Sequence, residues 1–138
     1  MAVIALDVGT KRIGVAVADP AQTFALPVTV IERTNLHADL ARIETLLREY
    51  DASELVVGDP IRLSGERGPA AEQIDRFVEH LRKIFSGTIH RIDERLTTAQ
   101  AQKRLIAADV SRAKRKSVVD KMAAALILET FLARRRNT

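Results

Sequence analysis

The chain has 138 residues, 46% of them hydrophobic and 29% charged, with a formal net charge of +4 and a pI near 9.8; this fits one globular domain over 1–138 with an anionic partner. It has no cysteine, which excludes disulfides and thiolate zinc sites and suits a reducing compartment. No apolar run of about 18 residues is present to span a bilayer, and "AVIALD" after Met1 shows no signal-peptide pattern, so a cytoplasmic protein without a membrane partner is expected.

"AVIALDV" at 2–8 is a short apolar run of the kind that forms a buried strand. Gly9 marks a hairpin turn, and "RIGVAVAD" at 12–19 alternates as a second strand before Pro20 stops it. "ALPVTVIER" at 25–33 is β-branched and forms a third strand, with Pro27 arguing for an edge position. The period then changes. Leu36, Leu40, Ile43 and Leu47 recur at helical spacing behind Asn35, a candidate N-cap.

"ELVVGDP" at 54–60 is a further short strand, followed by the loop "IRLSGERG". Pro69 suits the first turn of a helix that lines up Ile74, Phe77, Val78, Leu81 and Ile84, with Gly87 placed to end it. "TIHRID" at 88–93 is the fifth strand. "TTAQ" at 97–100 has the form of a capping box for a helix carrying Leu105 and Ile106. "ADVSRAKRK" at 108–116 reads as a loop, and Ser117 as the cap of a last helix, apolar on much of its circumference. In that helix Ala123 and Ala124 are small enough to allow close approach to a sheet.

Three strands in a meander, then strands separated by helices, predict an α/β fold. Its sheet is mixed and five-stranded: the first three strands antiparallel, the last two parallel to strand one, with helices on both faces.

Within that fold the acids stand out by position. Asp7 ends the first strand, Asp93 and Glu94 end the fifth, and Asp120 falls in the first turn of the last helix. Parallel strands bring their carboxyl ends to one sheet edge, where open α/β sheets bind ligands. Asp7, one of Asp93 or Glu94, and Asp120 can therefore meet. Clustered carboxylates repel one another, and a hard divalent cation with oxygen ligands relieves that repulsion. Taken singly, each acid also has an ordinary reading as a loop acid or a helix N-terminal charge.

The cations fall in two runs, "RAKRK" at 112–116 and "RRR" at 134–136. The first is a candidate backbone grip for nucleic acid; the second suits the C-terminus of a helix. His37, His80 and His90 are scattered and read as surface or structural residues.

Four segments in order resemble the YqgF family, also called the RuvX family: "ALDVGTKRIGVAVAD", "VVGDP" followed by Gly65, "DERLTT", and "VDKMAAALILETFL". The resemblance covers nearly the whole chain. It implies an RNase H-like fold and phosphodiester hydrolysis dependent on Mg²⁺ or Mn²⁺, with acids at Asp7, Glu94 and Asp120. Asp93 is the second choice to Glu94 within "DER". It further implies a structured nucleic acid as substrate: pre-16S rRNA, in a ribosomal subunit precursor, ahead of a four-way DNA junction.

Lys11, Arg12, Arg95, Arg112, Lys114, Arg115 and Lys116 are the candidate phosphate contacts. For Arg12 a strand-edge salt bridge is an equal reading. Gly9, Gly58 and Gly65 would leave room for phosphate or metal. Where the family usually carries leucine in "VGLP", this chain has Asp59, either near the site or facing solvent. A junction resolvase usually needs two facing sites and so a symmetric dimer; the expectation here is a monomer or weak homodimer. "DVGT" also resembles the phosphate motif of the sugar-kinase, Hsp70 and actin ATPases, but those close two domains on a nucleotide and this chain has one. A non-catalytic RNA-binding module is the remaining reading.

Overall fold

The computed structural model describes residues 2–60, 64–94 and 112–137, with side chains in the last helix described from residue 122 onward. The elements are β1 (Ala2–Val8), β2 (Arg12–Ala18), β3 (Ala25–Glu32), α1 (Leu36–Glu49), β4 (Ala52–Asp59), α2 (Pro69–Ile84), β5 (Thr88–Asp93) and α3 (Arg112–Arg136). The helix expected near 97–106 lies outside the described residues.

The five strands form one sheet in the order β3-β2-β1-β4-β5. β1 pairs antiparallel with β2, and β2 with β3. β1 pairs parallel with β4, and β4 with β5, so the carboxyl ends of these three strands share one edge. Pro27 sits on the edge strand β3, beside a bulge where the register steps from Val15↔Thr29 to Ala16↔Pro27. That placement costs no ladder hydrogen bond in the sheet interior.

Strand alternation divides the core into two layers. Ile4, Leu6, Ile13, Val15, Leu55 and Val57 face α1 and α2, meeting Ile43, Leu47, Ile74, Phe77 and Leu81. Val3, Ala5, Ala16, Val56 and Ile92 face α3, meeting Ala124, Ala125, Ile127, Leu128 and Leu132. Small residues on both sides of the second layer let α3 lie close to the sheet, and Ala123 and Ala124 are fully buried.

The helix ends show local physics at work. Asn35 Oδ1 accepts from the Ala38 N–H at 2.9 Å, capping α1. α1 ends at Tyr50, and Asp51 takes a left-handed φ of 50° in the turn that follows. Pro69 occupies the first turn of α2 behind Gly68. Gly87 does not terminate α2: the helix stops at Ile84 with Phe85 extended. The glycine is needed instead for close approach, since a Cβ there would lie 2.3 Å from the Ser53 carbonyl oxygen.

Two further expectations are corrected. Residues 112–116 are helical and open α3, so Ser117 lies inside the helix and Asp120 well past its first turn. Alanine, arginine and lysine are strong helix formers, and their positive charge, unfavourable at a helix N-terminus, is what made the run read as a loop. The terminal arginines are more than a solvated tail. Arg135 pairs with Glu54 and lies 4.5 Å over the Phe131 ring, and Arg136 donates to the Thr23 carbonyl at 3.2 Å. They fasten the end of α3 to the sheet. No helix among the described residues is long and apolar enough to cross a membrane.

Candidate active site

Alternation along β1 places Asp7 on the same face as Val3 and Ala5, toward α3. The β1–β4 register puts Leu6 beside Val57, so Asp7 comes level with Gly58. Gly58 in turn is paired with Ile92 on β5, two residues before Glu94. A Cβ on Gly58 would fall 3.2 Å from the Glu94 carboxylate carbon and 2.8 Å from Ile127 Cδ1. Glu94 therefore folds over Gly58 on the α3 face, and the missing side chain gives its carboxylate room. Asp7 and Glu94 are each only 8% exposed. Both line one cleft of about 580 Å³ at the carboxyl edge of the sheet, with Gly9 and Gly58.

Asp93 pairs in register with Asp59, which puts it on the other face, toward α2. The two acids of "DER" thus point to opposite sides of the sheet. Asp120 rides on α3, which packs against the face bearing Asp7 and Glu94; its side chain lies outside the described residues. Among the described residues no group of three acids or histidines is spaced as a metal cluster. The donors that are described are two buried carboxylates, an all-oxygen set that fits a hard cation such as Mg²⁺ or Mn²⁺.

The β1–β2 turn forms one lip of the cleft. The Gly9 N–H donates to the Arg12 carbonyl at 2.8 Å, and a Cβ on Gly9 would sit 2.8 Å from that same oxygen. Turn closure accounts for this glycine. Arg12 pairs with Glu32 at 2.9 Å across the β2–β3 ladder, which is its strand-edge reading. Lys11 is exposed at the turn. Gly65 has a φ of 92°, a conformation that favours glycine, in the loop before α2. Arg95 lies outside the described residues, and so do the side chains of Arg112, Lys114, Arg115 and Lys116.

Asp59 is neither at the cleft nor facing solvent. It accepts from Arg67 Nη1 at 2.6 Å and Arg91 Nη2 at 2.9 Å. The same two arginines donate to Asp75 Oδ1 at 2.6 and 3.0 Å. This closed group of four charges ties β4, β5, α2 and the preceding loop together. Burial alone would raise the Asp75 carboxyl, but the hydrogen bonds from Arg67 and Arg91 hold it below the usual range.

Three residues that sequence reasoning set aside or missed also line the cleft: Arg33, Arg76 and His80. Arg33 is braced. It donates to the Gly9 carbonyl at 2.8 Å, pairs with buried Asp39 at 3.3 Å, and lies 5.3 Å over the Phe77 ring. Gln73, Arg76 and His80 recur at helical spacing beside the apolar stripe of α2. That polar stripe is a sequence signal, although an ordinary amphipathic helix shows one too.

A five-stranded mixed sheet in this order, with acids at the carboxyl edge and helices on both faces, defines an RNase H-like protein. The structure aligns with Thermus thermophilus RuvC in complex with a Holliday junction at a TM-score of 0.63 and 16% identity, covering 98% of this chain and 96% of that one. It aligns with the fowlpox virus Holliday junction resolvase at a TM-score of 0.57 and 14% identity, covering 99% of each chain. At such identities the likeness is one of fold. The family described as "RuvX: Holliday junction resolvase" matches residues 1–134, and the chain belongs to that family. Its relatives include proteins named "Putative pre-16S rRNA nuclease". The one from Thermoanaerobacter pseudethanolicus is 46% identical over 138 residues, covering 99% of both chains. The one from Moorella thermoacetica is 46% identical over 134 residues, covering 97% of this chain and 96% of that one. Membership of this nuclease and resolvase family makes a hydrolytic endonuclease the class of activity.

Proposed function

We propose that this protein is a divalent-metal-dependent endonuclease that hydrolyses a phosphodiester near the 5′ end of pre-16S rRNA, with Asp7, Glu94 and Asp120 as the catalytic acids. The observation that carries the reading is the pair of buried carboxylates, Asp7 and Glu94, brought to one cleft at the carboxyl edge. Two carboxylates in one cleft form an all-oxygen donor set of the kind that holds a hard divalent cation for phosphoryl chemistry. The names borne by relatives at 46% identity supply the substrate.

When bound there, Mg²⁺ or Mn²⁺ supplies an activated water and charge stabilisation at the leaving oxygen. Asp7 and Glu94 hold the cation from the rigid ends of β1 and β5, and Asp120 joins them from α3. Gly58 keeps the floor low enough for Glu94 to turn inward. Lys11, at the tip of the β1–β2 turn, and the basic start of α3 contact phosphates. Such contacts position a strand without reading its sequence, and binding weakens steeply with salt. The protein works in the cytoplasm on a ribosomal subunit precursor.

The test is side-by-side incubation of the purified protein with a pre-16S rRNA fragment and a synthetic four-way DNA junction, under Mg²⁺, Mn²⁺ or chelator. RNA cleavage that requires metal is expected. Cleavage of the junction alone would move the substrate to recombination. Binding of RNA without cleavage under either metal would leave a binding module.

A further inference from the structure

From the two acids the cleft continues over the sheet edge and into the gap between the start of α1 and the N-terminal part of α2. Its surface there is of two kinds. Ile74 and Phe77 are buried beneath it, with the Arg33 guanidinium lying over the Phe77 ring, so the floor it presents is the 38%-exposed Leu36 beside the plane of that guanidinium. Arg33, Arg76 and His80 stand around that floor.

Arg33 is already fixed, by the Gly9 carbonyl, by Asp39 and by the Phe77 ring beneath it. A ligand therefore meets a guanidinium whose ordering entropy is already lost. Such a floor, flanked by two arginines and a histidine and opening directly onto the carboxylates that the nuclease reading gives to a metal, is complementary to a nucleotide. The base lies on the floor, and its phosphate lies toward the arginines and the metal side of the cleft. The whole cleft, acids included, has a volume of about 580 Å³, within the range of pockets that hold one such unit.

We infer that the α1–α2 end of the cleft is a subsite for one unpaired nucleotide flanking the scissile phosphate, formed by Arg33, Leu36, Arg76, Phe77 and His80. This rests on the nuclease reading above and adds a selection rule to it. A base in a duplex must be unstacked and unpaired before it can enter, at a cost of about a few kcal/mol. A single-stranded segment has its base faces available. The subsite thus favours unpaired RNA beside the cut over the fully paired arms of a DNA junction.

Two measurements test it. The first places a single abasic residue at each position flanking the cut in an RNA substrate. One position is expected to lower kcat/KM roughly 10- to 100-fold, the range for loss of one stacked base, mainly through KM. The combined variant Arg76→Ala/His80→Ala is expected to cleave the intact substrate more weakly and to lose its sensitivity to that abasic residue. Equal cleavage of every abasic substrate by the wild type would overturn the subsite.

The second needs no activity. With chelator present, adenosine 5′-monophosphate is titrated against the protein and the imidazole proton resonances are followed. The His80 signal, assigned by its absence in His80→Gln, is expected to move saturably. It should move much less with ribose 5-phosphate, which has no base. An unmoved His80 signal would overturn the subsite. A protein that cleaves no RNA yet shows the His80 response would refute the nuclease reading and leave the nucleotide subsite standing.

Discussion

Replacing Gly58 by alanine separates stability from chemistry in this cleft. The added Cβ would lie 2.8 Å from Ile127 Cδ1 and 3.2 Å from both Cδ and Oε1 of Glu94, against an ordinary contact of 3.4–4 Å. Gly58 has no left-handed φ, so the backbone accepts alanine, and removal of glycine stabilises by about 0.4–1 kcal/mol through the unfolded chain. Overpacking costs about 1–3 kcal/mol, and part of it is relieved because Ile127 meets the new methyl with the end of a flexible side chain. The net expected loss is about 1 kcal/mol, readable as a small drop in the urea midpoint with an unchanged slope. The effect on catalysis is larger. Glu94 must retreat by a few tenths of an ångström, and a misplacement of about 1 Å can lower a rate by about 100-fold. Single-turnover cleavage of an RNA substrate is expected to slow about tenfold in Gly58→Ala, with KM within about twofold of wild type. Wild-type turnover in this variant would refute the claim that Gly58 sets the position of a catalytic carboxylate.

The four-charge group gives the converse result. Asp59→Ala leaves Arg67 and Arg91 with Asp75 alone, and because Arg67 and Asp75 are partly exposed the cost is expected at about 1–3 kcal/mol, below that of a fully buried pair. Urea unfolding should show that loss while cleavage per folded molecule stays at the wild-type rate. The attachment of α3 should depend on acid. The hydrogen bond from Arg135 is the largest influence on Glu54; together with His90 it outweighs burial and holds the carboxyl below its ordinary value of 4.5. A carboxyl depressed in the fold contributes stability above its unfolded value and loses it as pH falls through the folded one. Glu54→Gln is therefore expected to be less stable than wild type by about 0.5–1 kcal/mol at pH 7, and the difference should shrink as pH falls from above 4.5 through the lower value of the folded carboxyl. A difference independent of pH would exclude that ionic origin.

The order of strands and helices was legible because each described element announces itself locally. β1 to β3 are β-branched runs punctuated by Gly9 and Pro20, and α1 and α2 carry 3.6-residue stripes behind Asn35 and Pro69. The start of α3 was not legible. Its first turns are basic where a helix N-terminus favours acids, so propensity and dipole point in opposite directions. In the cleft, Asp7 could be singled out as a charge ending a buried strand, and alternation then separates the directions of Asp93 and Glu94 once the register is known. Asp59 could not be placed, because its partners Arg67, Asp75 and Arg91 lie on a loop, a helix and another strand, and no spacing rule joins them. His80 and Arg76 look like any polar face of an amphipathic helix. Only the tertiary arrangement shows that this face borders the acids. Arg33 is similar: its contacts to Gly9, Asp39 and Phe77 span three elements.

The most direct test of the account is single-turnover cleavage of a 5′-extended pre-16S rRNA fragment by wild type and by Asp7→Asn, each with Mn²⁺ and with chelator. Asp7→Asn keeps the shape of the side chain and removes the charge that holds the cation. The account predicts cleavage by the wild type that chelator abolishes, and a loss of at least about 100-fold in Asp7→Asn measured per folded molecule, with the variant still unfolding in one cooperative transition. Cleavage by Asp7→Asn at the wild-type rate, or wild-type cleavage undiminished by chelator, would contradict it.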